Sequence, residues 1–323
     1  MPKYLIVNAD DLGISVSTNL AIGRAHGEGL ATSASLMANM PAARHAVQRV
    51  VRPHPRLGIG VHLCLTSGRP VLSPGEVPLL VGPDGSFRHG FLGLLRLVCG
   101  GRRGEALAQI ERELTAQAER VDALGVAIDH VDGHQHVQMI PAIFPLALGL
   151  ARQRRAVLRL ADEPLGLPGR RLARPARLAR SLADGGLLKW LVLSRMARTI
   201  RSRVPLSDTV NYFGVLEAGR MTLGALRAVA RSLPEGVSEI NVHPGSPAWL
   251  DEALEASPAD RRFHRRPERA AELEALLAPA LRAELDAAGV RLVRFCDVLD
   301  LHAAGQAALA ALGPAQQQAE QAH

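Results

Sequence analysis

The feature that most constrains this chain is a short apolar run ending in paired acids: Leu5-Ile6-Val7, then Asn8-Ala9-Asp10-Asp11-Leu12-Gly13. An unbroken apolar run of this kind predicts a strand buried on both faces of a parallel sheet. In parallel α/β folds the chemistry gathers at the carboxyl ends of the strands. Two adjacent carboxylates repel each other and are costly to desolvate. They imply a nearby cation, or two separate jobs such as one ligand and one base. Asp beside Gly after a strand is equally ordinary helix-capping and turn chemistry, and the stretch alone does not separate the two. Histidines at other strand ends do.

Further along, strands and helices alternate. Ser17 or Thr18 is positioned to cap a helix ending near Gly27, and Thr32 to Met37 reads as a second strand. A helix over about 42–51 precedes a third strand, Leu57 to Thr66, in which His62 is the polar residue of an apolar run. A lone histidine there is more often a satisfied core residue than a ligand. Residues 67–103 are rich in Gly and Pro and read as a long loop of the kind that forms lids. An amphipathic helix follows, with Leu107, Ile110, Leu114 and Ala118 on one face. The densest chemistry comes next, in Asp129-His130-Val131-Asp132-Gly133-His134-Gln135-His136. In an extended chain His130, Asp132, His134 and His136 point the same way, and an H-x-H pair then suits a metal.

A helix over 141–153 leads to the strand Ala156 to Leu160, inside which Arg159 requires an anionic or carbonyl partner, either a structural ion pair or a substrate. Residues 164–206 break the alternation. They are rich in Arg, Pro and Gly and contain the basic amphipathic stretch Leu187 to Arg198, which reads as a barrel-packing helix, a lid or a membrane-surface helix. Strands at 209–214 and 238–243 follow, the second ending in His243-Pro244-Gly245. A polar stretch, a single helix over 268–288 and a last strand at 291–295 complete the pattern. The expected architecture is α/β, a distorted parallel (β/α) barrel of seven or eight strands. It occupies 1–302 as one domain, with 164–206 as an inserted basic helical segment and 303–323 as a mobile Ala/Gln-rich tail. Asp10, Asp11, His62, His134, His136 and His243 then fall at one mouth. One acid and two histidines with positions open to water are the donor set of a hydrolytic metal site.

Composition narrows the class. Aromatic residues make up only 3% of the chain, so the core is built from Leu, Val, Ile and Ala. The net charge of +7 raises the question of nucleic acid, but no basic patch interleaved with aromatics and no zinc-finger spacing accompanies it. The 3 cysteines, Cys64, Cys99 and Cys296, are odd in number and far apart, which argues against a disulfide framework. The first strand starts near residue 4 and leaves no room for a signal peptide before it, and no apolar run approaches the roughly 20 residues of a membrane span. The expected location is cytoplasmic, with peripheral membrane contact through 187–203 as an option and a homodimer compatible with the chain.

In Asn8-Ala9-Asp10-Asp11-Leu12-Gly13, Gly60-Val61-His62-Leu63, Asp132-Gly133-His134-Gln135-His136 and His243-Pro244-Gly245 the chain resembles the YdjC-like carbohydrate deacetylases. That family includes chitooligosaccharide and hopanoid-biosynthesis-associated deacetylases. Four motifs agree in type and order, from residue 3 to about 299. The resemblance implies a NodB-like distorted barrel and one divalent metal ion, Mg or Zn. It places the metal on Asp11, His62 and His134, the general base on Asp10, and a candidate acid on His243. His136, Arg159 and Asp132 are expected to contact the substrate. Gln138 stands where many members carry a further histidine, which leaves the ligand set intact. The implied reaction is removal of an N-acetyl group from an amino sugar or glycolipid. Asp10 takes the proton of an activated water, and His243 or His136 protonates the leaving amine. A phosphoesterase would call for more carboxylate ligands around a second metal. A non-catalytic sugar- or lipid-binding barrel would leave Asp10 without a job.

Overall fold

Strand β1 (Lys3–Leu12) lies at the centre of one curled, all-parallel sheet. A computed structural model describes residues 2–164, 186–204, 210–249 and 255–301. The other strands are β2 (Ser33–Leu36), β3 (Gly58–Leu63), β4 (His130–Gly133), β5 (Val157–Leu158), β6 (Asn211–Phe213), β7 (Gly236–Val242) and β8 (Val290–Leu292). They are ordered β5-β4-β3-β2-β1-β7-β6, with β8 also paired to β1. β7 lies along β1 from Lys3 to Ala9. The opposite edge of β1 is shared, β8 holding Lys3 to Leu5 and β2 holding Asn8 to Leu12. No pairing joins β5 to β6 among the described residues, so the barrel is open on that side. The distorted parallel barrel expected from the sequence is the fold.

Alternation along β1 explains where the core sits. Leu5, Val7 and Ala9 face the helices and join the main apolar cluster, with Ile59, Val61, Leu63, Val131, Ile240 and Val242 from neighbouring strands. Asn8 and Asp10 turn to the inside of the barrel, where they meet side chains from β2, β4 and β7. The apolar core therefore lies between sheet and helices, and the barrel interior is polar. Gly60 is required by that interior, because a Cβ there would overlap the ring of His130.

Several local readings change. The first helix, Val16–Gly27, is capped by Ser15, whose Oγ accepts from the Thr18 N–H, rather than by Ser17 or Thr18. The long loop holds a helix of its own, Phe91–Cys99. It is fastened to the next helix, Arg103–Ala123, through Glu113, which accepts the Val71 and Leu72 N–H groups, and Gln109, which accepts that of Leu79. Pro279 splits the single helix expected over 268–288 into Glu268–Leu277 and Pro279–Ala287. The polar stretch before it contains a further helix, Pro258–His264.

In the inserted segment, helix Gly186–Ile200 packs Leu193, Met196, Ala197 and Ile200 inward. The Trp190 indole donates to the Glu163 carbonyl at 2.7 Å, and Arg201 pairs with Asp162 at 2.9 Å. Of the apolar stripe Trp190, Leu191 and Leu193, Leu191 faces solvent, Trp190 is half-buried and Leu193 is buried. Positions 165–185 and 205–206 of the segment, and the tail from 302, lie outside the described residues. No helix among the described residues is long and apolar enough to cross a membrane. All three cysteines are unpaired.

Candidate active site

Adjacent residues of a strand normally point to opposite faces, so both acids reach one mouth only because β1 is irregular. Its register against β2 slips between Ala9 and Leu12, and Asp11 takes φ +68°. A non-glycine residue held at positive φ costs on the order of 1–3 kcal/mol and persists only where its surroundings over-determine it. Gly13, at φ +95°, completes the turn, with its own carbon close to the Met37 carbonyl.

Asp10 belongs to a floor of buried charge. The Arg159 guanidinium donates to both of its oxygens at 2.8 and 2.9 Å and also reaches Asp132 and Glu239 at 2.6 Å each. Asn8 donates to Asp10 and to Ser35, and Ser35 donates to Asp132. Burial opposes the charge of Asp10, but Arg159 and His62 overcome this and hold its carboxyl far below the usual range. Three carboxylates share one guanidinium, and the surplus falls on Glu239, whose carboxyl burial pushes up to about 7 despite Arg159. Arg159 and Asp132 lie under the cavity rather than on its wall, both fully buried, which differs from the substrate contacts expected of them.

Asp11 faces outward from this floor. Its Oδ1 lies 3.0 Å from His134 Nδ1 and 3.4 Å from His62 Nε2. The donor atoms of Asp11, His62 and His134 all fall within 4.8 Å of one another. Each histidine is oriented by a second carboxylate on its other nitrogen: His62 Nδ1 on Asp132 at 2.8 Å, and His134 Nε2 on Asp260 at 3.1 Å. That is the carboxylate–histidine arrangement by which metal-binding imidazoles are aimed. Burial works against protonated imidazoles here. Asp132 and Asp10 nevertheless push His62 up to about 9, and Asp260 and Asp11 raise His134 well above its ordinary value. So negative a potential is equally suited to a divalent cation. Asp10, His62 and Asp132 form a second close set, but Arg159 already satisfies its two carboxylates.

The alternation expected over 130–136 fails after Gly133. Gln135 and His136 adopt left-handed angles, φ +54° and +62°, and turn the chain away. His130 stays inside the barrel, between Asp129 and Ser35 and stacked on Phe295 at 4.0 Å, while His134 rises to the mouth. His136 is buried, and its ring meets Tyr212 edge-on at 5.8 Å. His243 places Nε2 4.0 Å from Asp10 Oδ2, and its backbone N–H donates to Glu272 at 2.6 Å. Burial and then Arg269 pull the His243 imidazole down to about 3, and burial lowers His136 well below its usual value, so both rings are neutral.

Residues that the sequence reading passed over complete the site. Helix Pro258–His264 brings Asp260 to His134, Phe263 against the His243 ring, and His264 Nε2 to 3.3 Å from Asp11 Oδ2. A signal for this helix was present: Ser257 as cap, Pro258 at the first position and Asp260 at the third. Helix Gly186–Ile200 supplies Lys189. Together with Asp10, Asp11, His62, His134, His136 and His243, these side chains line a cavity of about 300 Å³. A wider cleft of about 780 Å³ opens where β2 and β3 begin, away from the paired acids.

The family model of YdjC-like proteins matches residues 4–287. The chain belongs to the YdjC-like family. A carbohydrate deacetylase of Geobacillus stearothermophilus is 45% identical over 179 residues, which is 55% of this chain and 64% of that protein. A chitooligosaccharide deacetylase of Salmonella paratyphi B is 38% identical over 161 residues, 50% of this chain and 60% of the other. The matched stretch thus spans less than two thirds of the length of these curated relatives. Among solved structures, a protein of Enterococcus faecalis V583 named for cellobiose-phosphate cleavage superimposes with a TM-score of 0.62 at 26% identity, covering 91% of this chain and 98% of its own.

Proposed function

We propose that this YdjC-like protein is a metal-dependent carbohydrate deacetylase, a hydrolase that removes an N-acetyl group from an amino sugar or glycoconjugate. The observation that carries the reading is the division between the two adjacent acids. Asp11 shares a compact three-donor set with His62 and His134, while Asp10 is held ionised beside it by Arg159. One carboxylate and two imidazoles suit Mg or Zn with positions left for water and substrate. Relatives named carbohydrate and chitooligosaccharide deacetylases support the same class.

A divalent ion on Asp11, His62 and His134 would supply Lewis acidity and acidify a water molecule. Asp10 accepts the proton of the attacking water. Its clamp keeps it permanently available but makes it a weak base, which is adequate only toward an acidified water. His243, neutral and 4.0 Å away, is placed to receive that proton and pass it to the leaving amine. His136 lines the same cavity and orients substrate. Arg159 and Asp132 position Asp10 and His62 from below. A phosphoesterase with two metals is disfavoured, because Arg159 occupies the carboxylates that a second ion would need.

The test is acetate release from N-acetylglucosamine, its β-linked oligomers and acetamido glycolipids, with and without chelator, beside metal content. The expected result is chelator-sensitive release. Asp10→Asn should keep the metal and lose roughly 10²–10⁴ in rate. Asp11→Asn should lose metal and activity together. Release that survives complete metal removal, or two variants that behave alike, overturns the assignment.

A further inference from the structure

We propose that Lys189 is a further catalytic residue of this site, its ammonium group donating to the acetamide oxygen and stabilising the negative charge that grows there. The inference rests on the deacetylase reading and assigns that reading a group from the inserted segment.

The helix that carries Lys189 is fixed against the barrel. Its buried face runs through Leu193, Met196, Ala197 and Ile200, and Trp190 is tied to the Glu163 carbonyl. Counted back along the same face, at i, i+4, i+7, i+8 and i+11, the next position is Lys189. A lysine therefore stands where the apolar pattern calls for a hydrophobe, and at that end the helix packs on the His134–Met139 turn beside the mouth. The side chain lines the same cavity as Asp10, Asp11 and His243. It makes no ion pair among the described residues, although Asp10, Asp11 and Glu163 are near enough to favour its charge against burial.

The other cations near the cavity are unsuited to this task. Arg159 is saturated by three carboxylates beneath the floor. Arg262 and Arg266 are exposed at the rim, and the Arg266 guanidinium lies over the Phe263 ring. His136 and His243 are neutral. Lys189 combines partial burial, a free charge and proximity to the base.

In the step itself, the water oxygen bonds to the carbonyl carbon and its proton passes to Asp10. The carbonyl π pair moves onto oxygen, where Lys189 donates a hydrogen bond without giving up its proton. Collapse re-forms the carbonyl, breaks the C–N bond and releases acetate and the amine, which takes the proton held by the protein. A donor preorganised in a partly dry site is worth far more here than in water.

The experiment compares wild type, Lys189→Met and Lys189→Arg on whichever acetamido sugar of the panel above gives the highest rate. It measures kcat, KM, bound metal and thermal melting. Lys189→Met should lower kcat by about 10²–10³-fold with KM within a few-fold, as removal of an oxyanion donor does. Metal content and melting should stay unchanged, and Lys189→Arg should recover part of kcat. A Lys189→Met kcat within about threefold of wild type, or a loss confined to KM or accompanied by metal loss, overturns the assignment while the deacetylase reading stands. A wild-type enzyme that releases acetate from no member of the panel overturns both.

Discussion

The floor of the cavity and its wall are built on different terms. The floor is Asn8, Asp10, Ser35, Asp132, Arg159 and Glu239, carried by or directly following strands of one parallel sheet. Its geometry is set by strand register, and its charges are bound to one another from several sides. The wall is Lys189, Asp260, Phe263 and His264, brought in by two helices outside the strand–helix alternation, each side chain fixed by one or two contacts. A side chain in the floor does not shift without disturbing four strands, whereas one in the wall shifts with its own helix. Errors in the floor therefore register as stability, and errors in the wall as function.

The sharpest way to break this contrast is Arg159→Met. It leaves three buried carboxylates without their cation, and removing one partner of a buried ion network costs about 3–5 kcal/mol. Urea unfolding should show that loss; a change under about 1 kcal/mol would mean that the floor does not depend on its guanidinium.

Glu239→Gln probes the same floor through pH. Burial pushes the Glu239 carboxyl from 4.5 up to about 7. Between those values the native state keeps a proton that the unfolded chain has released, so stability falls as pH rises through this window. The total is up to about 3 kcal/mol for a shift of this size. Gln cannot titrate, so the wild-type slope across the window should flatten in the variant; equal slopes would remove Glu239 as its source.

The smallest expected effect belongs to the wall. Asp260→Asn loosens the orientation of His134, and partners of this type are worth 10–100-fold in metal affinity. Chelator competition should show that weakening with the unfolding midpoint nearly unmoved. A large stability loss would place Asp260 with the floor instead.

The same contrast explains what could be read from the residues alone. Asp10, Asp11, His62 and His243 are legible because each ends an apolar run, and strand ends of a parallel barrel converge. The alternation rule misplaces His130 and His136, because the left-handed turn at Gln135 and His136 uses no glycine and leaves no mark in the composition. Asp260 and His264 were hidden in a polar stretch whose capping residues were legible but overlooked. Lys189 sits in a helix whose periodicity was visible, yet which partner its apolar face would meet depends on packing that no local pattern encodes.

The place of β1 also sets an order of events. Its full-length neighbour, β7, begins at Gly236, more than two hundred residues later, and β8 arrives later still. As the chain leaves the ribosome, β2 to β5 can assemble on the far edge of β1, and Arg159 can meet Asp10 and Asp132. The edge reserved for β7 stays bare throughout that interval, a row of unpaired N–H and C=O groups able to template a neighbouring chain. The carboxylate that completes the charge network, Glu239, arrives on the strand that closes that edge, so electrostatic completion and the end of aggregation risk are one event.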